Sequence, residues 1–357
     1  MELRALGLTD WYLSALENPI SPDDEIARVI TVNKDNYTIH TGEAEIIGEI
    51  TGRIRYNADS KIDLPAVGDW VKIQRFDKNS PALITNILPR KTELKRKTAG
   101  RRMEYQMIAS NINRAFVMQS LDNNFNINRM ERYMTMIHES NIDTGILLSK
   151  SDLLSPEELQ DKINTIRQQG IQAEILIFTN KDKESIDQIR THLVAGKTYC
   201  LLGSSGVGKT TLLNNLVGEE LFAVGEIREK DHKGRHTTTN RNLVVLPGGG
   251  MLVDTPGMRE LGNIELTEGI RKTFNLIDDL SQHCKFNNCS HTQEPKCAVL
   301  KALEEGEITE DHYNNYIKLT KESRFNKMSY LERKRQDKEF GKMQKRVMSE
   351  RKSRRQS

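Results

Sequence analysis

Residues 203–210 read GSSGVGKT and stand between an apolar run, KTYCLL at 197–202, and TLLNNL at 211–216. The apolar run predicts a buried strand and the following segment a helix, so GSSGVGKT is the turn between them. Its glycines allow the backbone to curl until successive N–H groups point inward at an anion, and the helix adds its positive N-terminus. The sequence therefore predicts a nucleotide phosphate loop, in which Lys209 reaches the β- and γ-phosphates and the Thr210 hydroxyl binds Mg²⁺.

A second motif precedes this loop in the chain. The strand-like run TGILL at 144–148 ends in SKSD at 149–152. One carboxylate can accept hydrogen bonds from both N1–H and the exocyclic amine of guanine, a pair of donors that adenine lacks. Asp152 suits this contact, and the stem of Lys150 can lie along the base. The motif resembles the [NT]KxD guanine-recognition motif of GTPases, with Ser149 in the first position.

Two more motifs follow the phosphate loop. MLVDTPG at 251–257 is an apolar strand ending in a DxxG pattern, which predicts that Asp254 contacts Mg²⁺ and that the Gly257 N–H binds the γ-phosphate. GRHTTT at 234–239 offers three threonines as switch ligands of Mg²⁺, and we assign this role to Thr238.

The order is therefore base motif, phosphate loop, switch threonine and DxxG, whereas an ordinary GTPase has its base motif last. All parts still converge if the sheet is unchanged and the termini are cut elsewhere, because domain termini tend to lie at the surface. Strands and helices alternate from about residue 113, and Ser155 and Glu158 form the capping box of one helix. We predict a multidomain α/β protein with a circularly permuted P-loop GTPase domain at 113–264.

The segment before this domain has a different texture. Short alternating runs separated by turn residues at 24–88 predict five strands, with an OB-fold β-barrel as the leading candidate and another small β-domain as the alternative. Residues 1–23 are predicted to form a helical, peripheral N-terminal extension. The basic stretch at 89–112 is predicted to be a linker.

The C-terminal part carries a metal motif. CKFNNCSHTQEPKC at 284–297 supplies Cys284, Cys289, His291 and Cys297, whose spacing suits a closed, structural Cys₃His zinc site. We predict a helical zinc-binding domain at 265–332. The tail at 333–357 carries a net charge of +8 against +3 for the whole chain, which indicates a polyanionic partner or a solvated helix.

Composition restricts the class of protein. The chain has 357 residues, 36% hydrophobic and 29% charged, without an apolar run long enough to span a membrane and without a secretory signal. We therefore expect a cytoplasmic protein. A P-loop kinase would share residues 203–210 but needs an acceptor site and no guanine motif. A non-enzymatic rRNA-binding module with a regulatory nucleotide site is a further alternative.

Over roughly residues 24–320 the chain resembles the ribosome small subunit-dependent GTPase A (RsgA/YjeQ) family. The resemblance is carried by the permuted order, GSSGVGKT, GRHTTT, DTPG, CKFNNCSHTQEPKCAV and VGDWV at 67–71. It implies an N-terminal OB-fold, a permuted GTPase domain and a C-terminal zinc-binding domain. It further implies a role in late maturation of the 30S ribosomal subunit, with GTP hydrolysis stimulated by that subunit.

The same resemblance suggests a catalytic role for His236, because Met258 stands where many GTPases carry a water-orienting glutamine. The cofactors expected are GTP, Mg²⁺ and one structural Zn²⁺. The expected partners are the 30S subunit and its 16S rRNA, with no membrane and no DNA, and the chain is expected to be a monomer. The residues assigned to the nucleotide site are Ser149, Lys150, Ser151, Asp152, Gly203, Ser204, Ser205, Gly206, Val207, Gly208, Lys209, Thr210, Thr211, Asp254 and Gly257.

Overall fold

The computed structural model describes residues 2–15, 21–76, 80–97, 105–218, 242–254 and 266–327. After a short helix α1 (Asp10–Ser14) come the strands β1 (Asp24–Val32), β2 (Tyr37–His40), β3 (Glu45–Ile50), β4 (Trp70–Gln74) and β5 (Ala82–Ile87), with α2 (Gly52–Asn57) between β3 and β4. The strands pair in the order β1-β2-β3-β5-β4, and β4 returns to β1, so the sheet closes into a barrel. This closed, OB-like barrel confirms the N-terminal prediction.

Side-chain alternation explains why these strands close on themselves. The residues that face inward are small or β-branched and fully buried: Ala27, Val29, Ile39, Val71, Ile73, Ala82 and Ile84. Because neighbouring positions along each strand point to opposite faces, one apolar face per strand is enough to fill a five-stranded barrel.

The basic segment predicted as a linker contains a two-stranded antiparallel sheet, formed by β6 (Glu93–Lys97) and β7 (Tyr105–Ser110). The end of this ribbon packs on the barrel at Gly68, where a Cβ atom would lie 2.3 Å from the Ser110 carbonyl oxygen. Gly68 also has φ +92°, so both sterics and backbone conformation require glycine in the VGDWV motif.

The next elements form the α/β domain. They are β8 (Arg114–Ser120), α3 (Ile127–Glu139), β9 (Asp143–Ser149), α4 (Pro156–Gln168), β10 (Glu174–Ile177), α5 (Lys183–Thr191), β11 (Thr198–Leu202), α6 (Lys209–Val217), β12 (Asn242–Val245) and β13 (Met251–Asp254). The strand order is β10-β9-β8-β11-β13-β12, parallel except for β12. The predicted capping box begins α4: Ser155 Oγ accepts from the Glu158 N–H, and the Glu158 carboxylate accepts from the Ser155 N–H.

Within the described residues, the helices α7 (Thr267–Thr273), α8 (Asn275–Ser281), α9 (Ala298–Glu304) and α10 (Glu310–Lys327) follow this domain, and α7 and α10 pack against α3. The contact of α7 with α3 is close, since a Cβ on Gly269 would lie 2.0 Å from the Thr135 carbonyl oxygen. Between α3 and α10, the buried carboxylate of Glu131 binds His312 Nδ1 at 2.6 Å and Asn315 Nδ2 at 2.5 Å. The helical layer is therefore fixed to α3 by buried polar contacts as well as by apolar packing.

The barrel and the α/β domain share one sheet. Strand β1 bridges β12 at Thr31 and Asn242, and beside this bridge the side chain of Arg28 is almost fully buried. Its Nη2 donates to Thr198 Oγ1 at 2.7 Å, its Nη1 donates to the Leu6 carbonyl, and its guanidinium lies over the Trp70 ring. Burial lowers the pKa of Arg28 to about 10.

The N-terminal segment is less peripheral than its sequence indicates. Leu6, Leu8 and Tyr12 are buried in the same apolar cluster as Trp70 of the barrel. The sequence pattern does not reveal this docking, because the three buried side chains follow no simple period. Among the described residues, none of the helices has both the length and the apolar character needed to cross a membrane.

Candidate nucleotide site and metal centre

The segment GSSGVGKT connects β11 to α6 as a tight loop. Gly206 and Gly208 have φ values of +80° and +93°, which side-chain-bearing residues rarely adopt. A Cβ on Gly203 would lie 2.5 Å from the Met118 carbonyl oxygen of β8. Lys209 begins α6, and its ammonium group donates to the carbonyl oxygens of Gly203 and Ser204 at 2.6 and 2.7 Å. The loop thus has the curled backbone that a phosphate loop requires.

The base motif lies beside this loop despite its earlier place in the chain. Strand β8 separates β9 from β11, so the carboxyl ends of all three strands meet at one edge. Ser149, the last residue of β9, is fully buried, and its hydroxyl contacts the Val207 carbonyl at 2.7 Å and the Gln119 carbonyl at 3.3 Å. The serine in the first motif position therefore joins the two halves of the site directly.

Asp152 is oriented by two neighbours from the segment after β10. Its two oxygens accept from the Thr179 hydroxyl and from Lys181 Nζ, both at 2.6 Å. The hydrogen bonds from Lys181 and Thr179 lower the pKa of Asp152, so the carboxylate stays ionised at neutral pH. An ionised, oriented carboxylate at this edge is suited to accept two hydrogen bonds from a ligand.

Lys150 has the left-handed φ of +61° and contacts a second carboxylate. Its Nζ lies 2.7 Å from Oδ2 of Asp122, which follows β8. Burial raises the pKa of Asp122, but hydrogen bonds from Lys150, Ser120 and the Asn124 N–H outweigh it and lower the pKa to about 2. The lysine stem is thereby held in one direction across the edge of the sheet.

Sequence reasoning missed several residues of this edge. They are Asp122, Asn124, Thr179, Asn180 and Lys181. A signal was available, because LDNNF at 121–125 and FTNK at 178–181 each place polar residues directly after an apolar strand of a predicted parallel sheet. In open α/β sheets, ligands bind outside the carboxyl ends of such strands.

Of the other predicted site residues, some are described by the structure and some lie outside the described ranges. Ser151, Thr210 and Thr211 are described, with the two threonines in the first turn of α6. Asp254 ends β13, the neighbour of β11, so its backbone reaches the edge that carries the phosphate loop. His236, Thr238 and Gly257 lie outside the described residues.

The four predicted zinc ligands come together. One ligand atom from each of Cys284, Cys289, His291 and Cys297 lies within 4.8 Å of the others. Cys284 Sγ is 3.8 Å from Cys297 Sγ, and the two sulfurs are 3.6 and 3.4 Å from His291 Nδ1. Tetrahedral Zn–S and Zn–N bonds of about 2.3 and 2.0 Å place ligands about 3.8 Å (S–S) and 3.5 Å (S–N) apart, so the donor set fits zinc.

The surrounding contacts hold this geometry. The His291 carbonyl accepts from the Tyr313 hydroxyl of α10 at 2.6 Å, and Cys297 caps α9. The Glu294 carboxylate accepts from the backbone N–H groups of Ser290 and Thr292. Burial and the two neighbouring thiols raise the pKa of Cys289 to about 12, because thiolates this close repel one another without a cation between them.

Comparisons with known proteins agree with this arrangement. The family described as RsgA GTPase matches residues 87–264. The small ribosomal subunit biogenesis GTPase RsgA 2 of Vibrio parahaemolyticus is 36% identical, and the match covers 99% of this chain and 95% of that protein. RsgA 1 of Oceanobacillus iheyensis is 38% identical, with 87% of each chain covered.

Two solved structures share the fold. The crystal structure of YjeQ from Thermotoga maritima matches 84% of this chain and 98% of its own with a TM-score of 0.62 at 24% identity. YloQ, described as a circularly permuted GTPase, matches 86% and 97% with a TM-score of 0.60 at 25% identity. With a base motif that precedes its phosphate loop, and with such relatives along nearly its whole length, the chain belongs to the RsgA family of GTPases.

Proposed function

We propose that the carboxyl edge of the α/β sheet is the site that binds GTP with Mg²⁺. Asp152 accepts the hydrogen bonds of guanine, and Lys150 lies along the base. The loop at 203–211 binds the phosphates through its N–H groups and Lys209. The observation that carries this proposal is the 2.7 Å contact between Ser149 Oγ and the Val207 carbonyl, which joins the base motif to the phosphate loop.

The oxygen donors near the loop suit Mg²⁺, which prefers hydroxyl, carboxylate and phosphate oxygens. Thr210 and Asp254 are the residues that would hold it, with Thr238 joining when the γ-phosphate is present. When bound, Mg²⁺ neutralises charge on the β- and γ-phosphates. Membership of a GTPase family makes the chain a GTP hydrolase, so a P-loop kinase and a non-enzymatic rRNA-binding module are both set aside.

Hydrolysis needs an aligned water in addition to a bound nucleotide. Met258 follows the DTPG motif, and a thioether cannot orient water as an amide does. We assign this role to His236, with Gly257 binding the γ-phosphate. Turnover is then slow until a partner arranges His236.

We infer that the partner is the small (30S) ribosomal subunit, on which the chain acts in late maturation. The named relatives are small ribosomal subunit biogenesis GTPases. The OB-like barrel and the +8 tail at 333–357 fit a polyanion, so 16S rRNA is the proposed surface. The chain works in the cytoplasm as a monomer, without DNA or membrane.

The proposed division of the chain into domains follows this scheme. The proposed limits are 1–23 for the N-terminal extension, 24–88 for the barrel, 89–112 for the connecting segment, 113–264 for the GTPase, 265–332 for the zinc domain and 333–357 for the tail. The Cys₃His cluster holds one structural Zn²⁺, because four protein ligands leave no coordination position for a reactant.

Phosphate release from GTP, measured with and without purified small subunits, tests the proposal. We expect slow release alone and a large increase with the subunit. His236→Ala should keep nucleotide binding and lose most of the increase, whereas Lys209→Ala should abolish nucleotide retention. Equal rates with and without small subunits would contradict the proposed partner, and a normal GTP affinity of Lys209→Ala would contradict the proposed site.

A further inference from the structure

Three polar side chains, one from the end of each strand on the guanine side, contact the phosphate loop. Asn124, after β8, donates from Nδ2 to Ser204 Oγ at 3.1 Å. Ser149, at the end of β9, contacts the Val207 carbonyl, and Asn180, after β10, donates to the Gly208 carbonyl at 3.3 Å. We propose that Asn124 and Asn180 are positioning residues that, with Ser149 between them, hold the phosphate loop open for the nucleotide.

Hydrogen bonds from neighbouring residues hold both asparagine side chains in place. Arg129 of α3 donates to the Asn124 carbonyl and, at 2.9 Å, to Asn124 Oδ1. Asn215 of α6 donates to both the backbone carbonyl and Oδ1 of Asn180 at 3.2 Å. Each asparagine amide therefore has its oxygen engaged on one side and its NH₂ group directed at the loop.

The contacts select the loop conformation that binds an anion. A phosphate loop works only when its N–H groups face the ligand. Ser149 and Asn180 engage the carbonyls of Val207 and Gly208, on the side away from an anion. At Gly208 the fit is close, because a Cβ there would lie 2.7 Å from Asn180 Nδ2.

These contacts join parts of the site that are far apart in the sequence. All three residues precede the loop in sequence and lie on the side of the site that carries the base motif. They connect base recognition to phosphate recognition through side chains rather than through the backbone. Loss of the Asn124 or Asn180 contact should therefore weaken nucleotide binding without removing any atom assigned to the nucleotide.

This inference rests on the proposed nucleotide site. The test measures dissociation of a fluorescent GDP analogue from the full chain for Asn124→Ala and Asn180→Ala. Asn164→Ala is the matched control, since Asn164 lies exposed on α4 and contacts only Gln160 among the described hydrogen bonds. We expect dissociation to become about threefold to tenfold faster for each variant, the effect of one neutral hydrogen bond, and unchanged for the control.

Two further measurements separate positioning from general stability. The unfolding midpoint of the nucleotide-free protein should change little in Asn124→Ala. In a Ser204→Ala background, Asn124→Ala should have a smaller effect on dissociation, because the Ser204 acceptor is gone and only the 3.5 Å contact with the Ser205 carbonyl remains. Lys209→Ala is measured in parallel: normal affinity there would show that the nucleotide site itself is wrong. If Lys209→Ala loses binding while Asn124→Ala and Asn180→Ala dissociate at the wild-type rate, or if Asn124→Ala acts equally in the Ser204→Ala background, the inference fails.

Discussion

At the scale of single residues, neighbouring side chains set both the orientation and the charge of Asp152. Thr179 and Lys181 hold its two oxygens, and the same contacts keep it ionised. Guanine must share or replace these partners when it binds. Specificity for guanine should therefore depend on the Asp152 carboxylate and on the segment at 179–181 that orients it.

Replacement of this carboxylate should remove discrimination between guanine and hypoxanthine. GTP offers N1–H and the 2-amine, whereas inosine triphosphate offers N1–H alone. We expect Asp152→Asn to weaken GTP binding by about 100-fold, the value of roughly 3 kcal/mol of charge-assisted hydrogen bonding. Competition against a fluorescent nucleotide measures both affinities, with Asp161→Asn on α4 as control. A variant that still prefers GTP over inosine triphosphate would contradict the assignment of Asp152.

Site residues that belong to a motif with a distinctive spacing could be predicted from the sequence. Site residues outside such a motif could not. Gly203, Gly208 and Lys209 form a pattern whose chemistry is readable from the chain alone. Asn124 and Asn180 form no pattern, because their role depends on which strands become neighbours. Only the sheet order brings them to the phosphate loop, and a one-dimensional reading does not supply that order.

At the scale of elements, the contact between α3 and α7 contains a titratable group. His138 Nδ1 lies 2.9 Å from Thr273 Oγ1 at this contact. Burial lowers the pKa of His138 to about 4; Lys272 contributes in the same direction and Asp143 opposes it. The unfolded chain binds a proton here near pH 6.5, the folded chain only near pH 4.

It follows that acid should loosen this contact. Between pH 6.5 and 4 the unfolded state binds more protons at His138, so the free energy of unfolding falls as pH falls. Relative to His138→Gln, the wild type should lose about 2 kcal/mol of stability between pH 7 and pH 5. Denaturant unfolding of the wild type and of His138→Gln across this pH range gives the difference in their free energies of unfolding. The contributions of the other histidines cancel, because both proteins contain them. A constant difference would show that His138 does not titrate as described.

The cysteine loop at 284–297 is a second element at this scale, and we expect its stability to depend on a bound metal ion. Cys289→Ser should reduce the zinc content from one ion per chain and lower the unfolding temperature, because structural zinc contributes about 10 kcal/mol or more to folding in small domains. Metal analysis and thermal unfolding give the two values. Cys200→Ala, which alters the buried cysteine of β11, should keep its zinc. Full zinc content in Cys289→Ser would exclude Cys289 as a ligand.

Elements with strong local signals agreed with their prediction. The capping box that begins α4 and the alternation of the barrel strands are examples. The ribbon of β6 and β7 was missed, because ELKRK at 93–97 reads as a charged linker rather than as a strand. Its pairing partner β7 begins at Tyr105, eight residues after Lys97, and the charged residues of β6 conceal the pairing.

At the scale of the whole molecule, charge separates the tail from the body. The tail carries +8 and the remainder −5, so a polyanion should be attracted to one end of the chain. Deletion of 333–357 should weaken binding to small subunits and flatten its dependence on salt. Each lost phosphate contact removes about 0.7–0.9 from the slope of log K against log salt concentration.

A titration between low and moderate salt measures this slope for both proteins. A tail of the same composition in scrambled order is the control and should retain most of the slope, because counterion release depends on charge rather than sequence. An unchanged slope after deletion would mean that the tail makes no phosphate contacts.

The sheet order also has a consequence for synthesis of the protein. Strand β11 lies in the middle of the α/β sheet, between β8 and β13, although the ribosome makes it after β10. During translation, β8, β9 and β10 emerge with the inner edge of β8 uncovered, and an open strand edge invites pairing with another chain. The nascent protein must wait for β11 before this edge is covered. Until residues 198–202 have left the ribosome, the half-built sheet keeps this edge exposed.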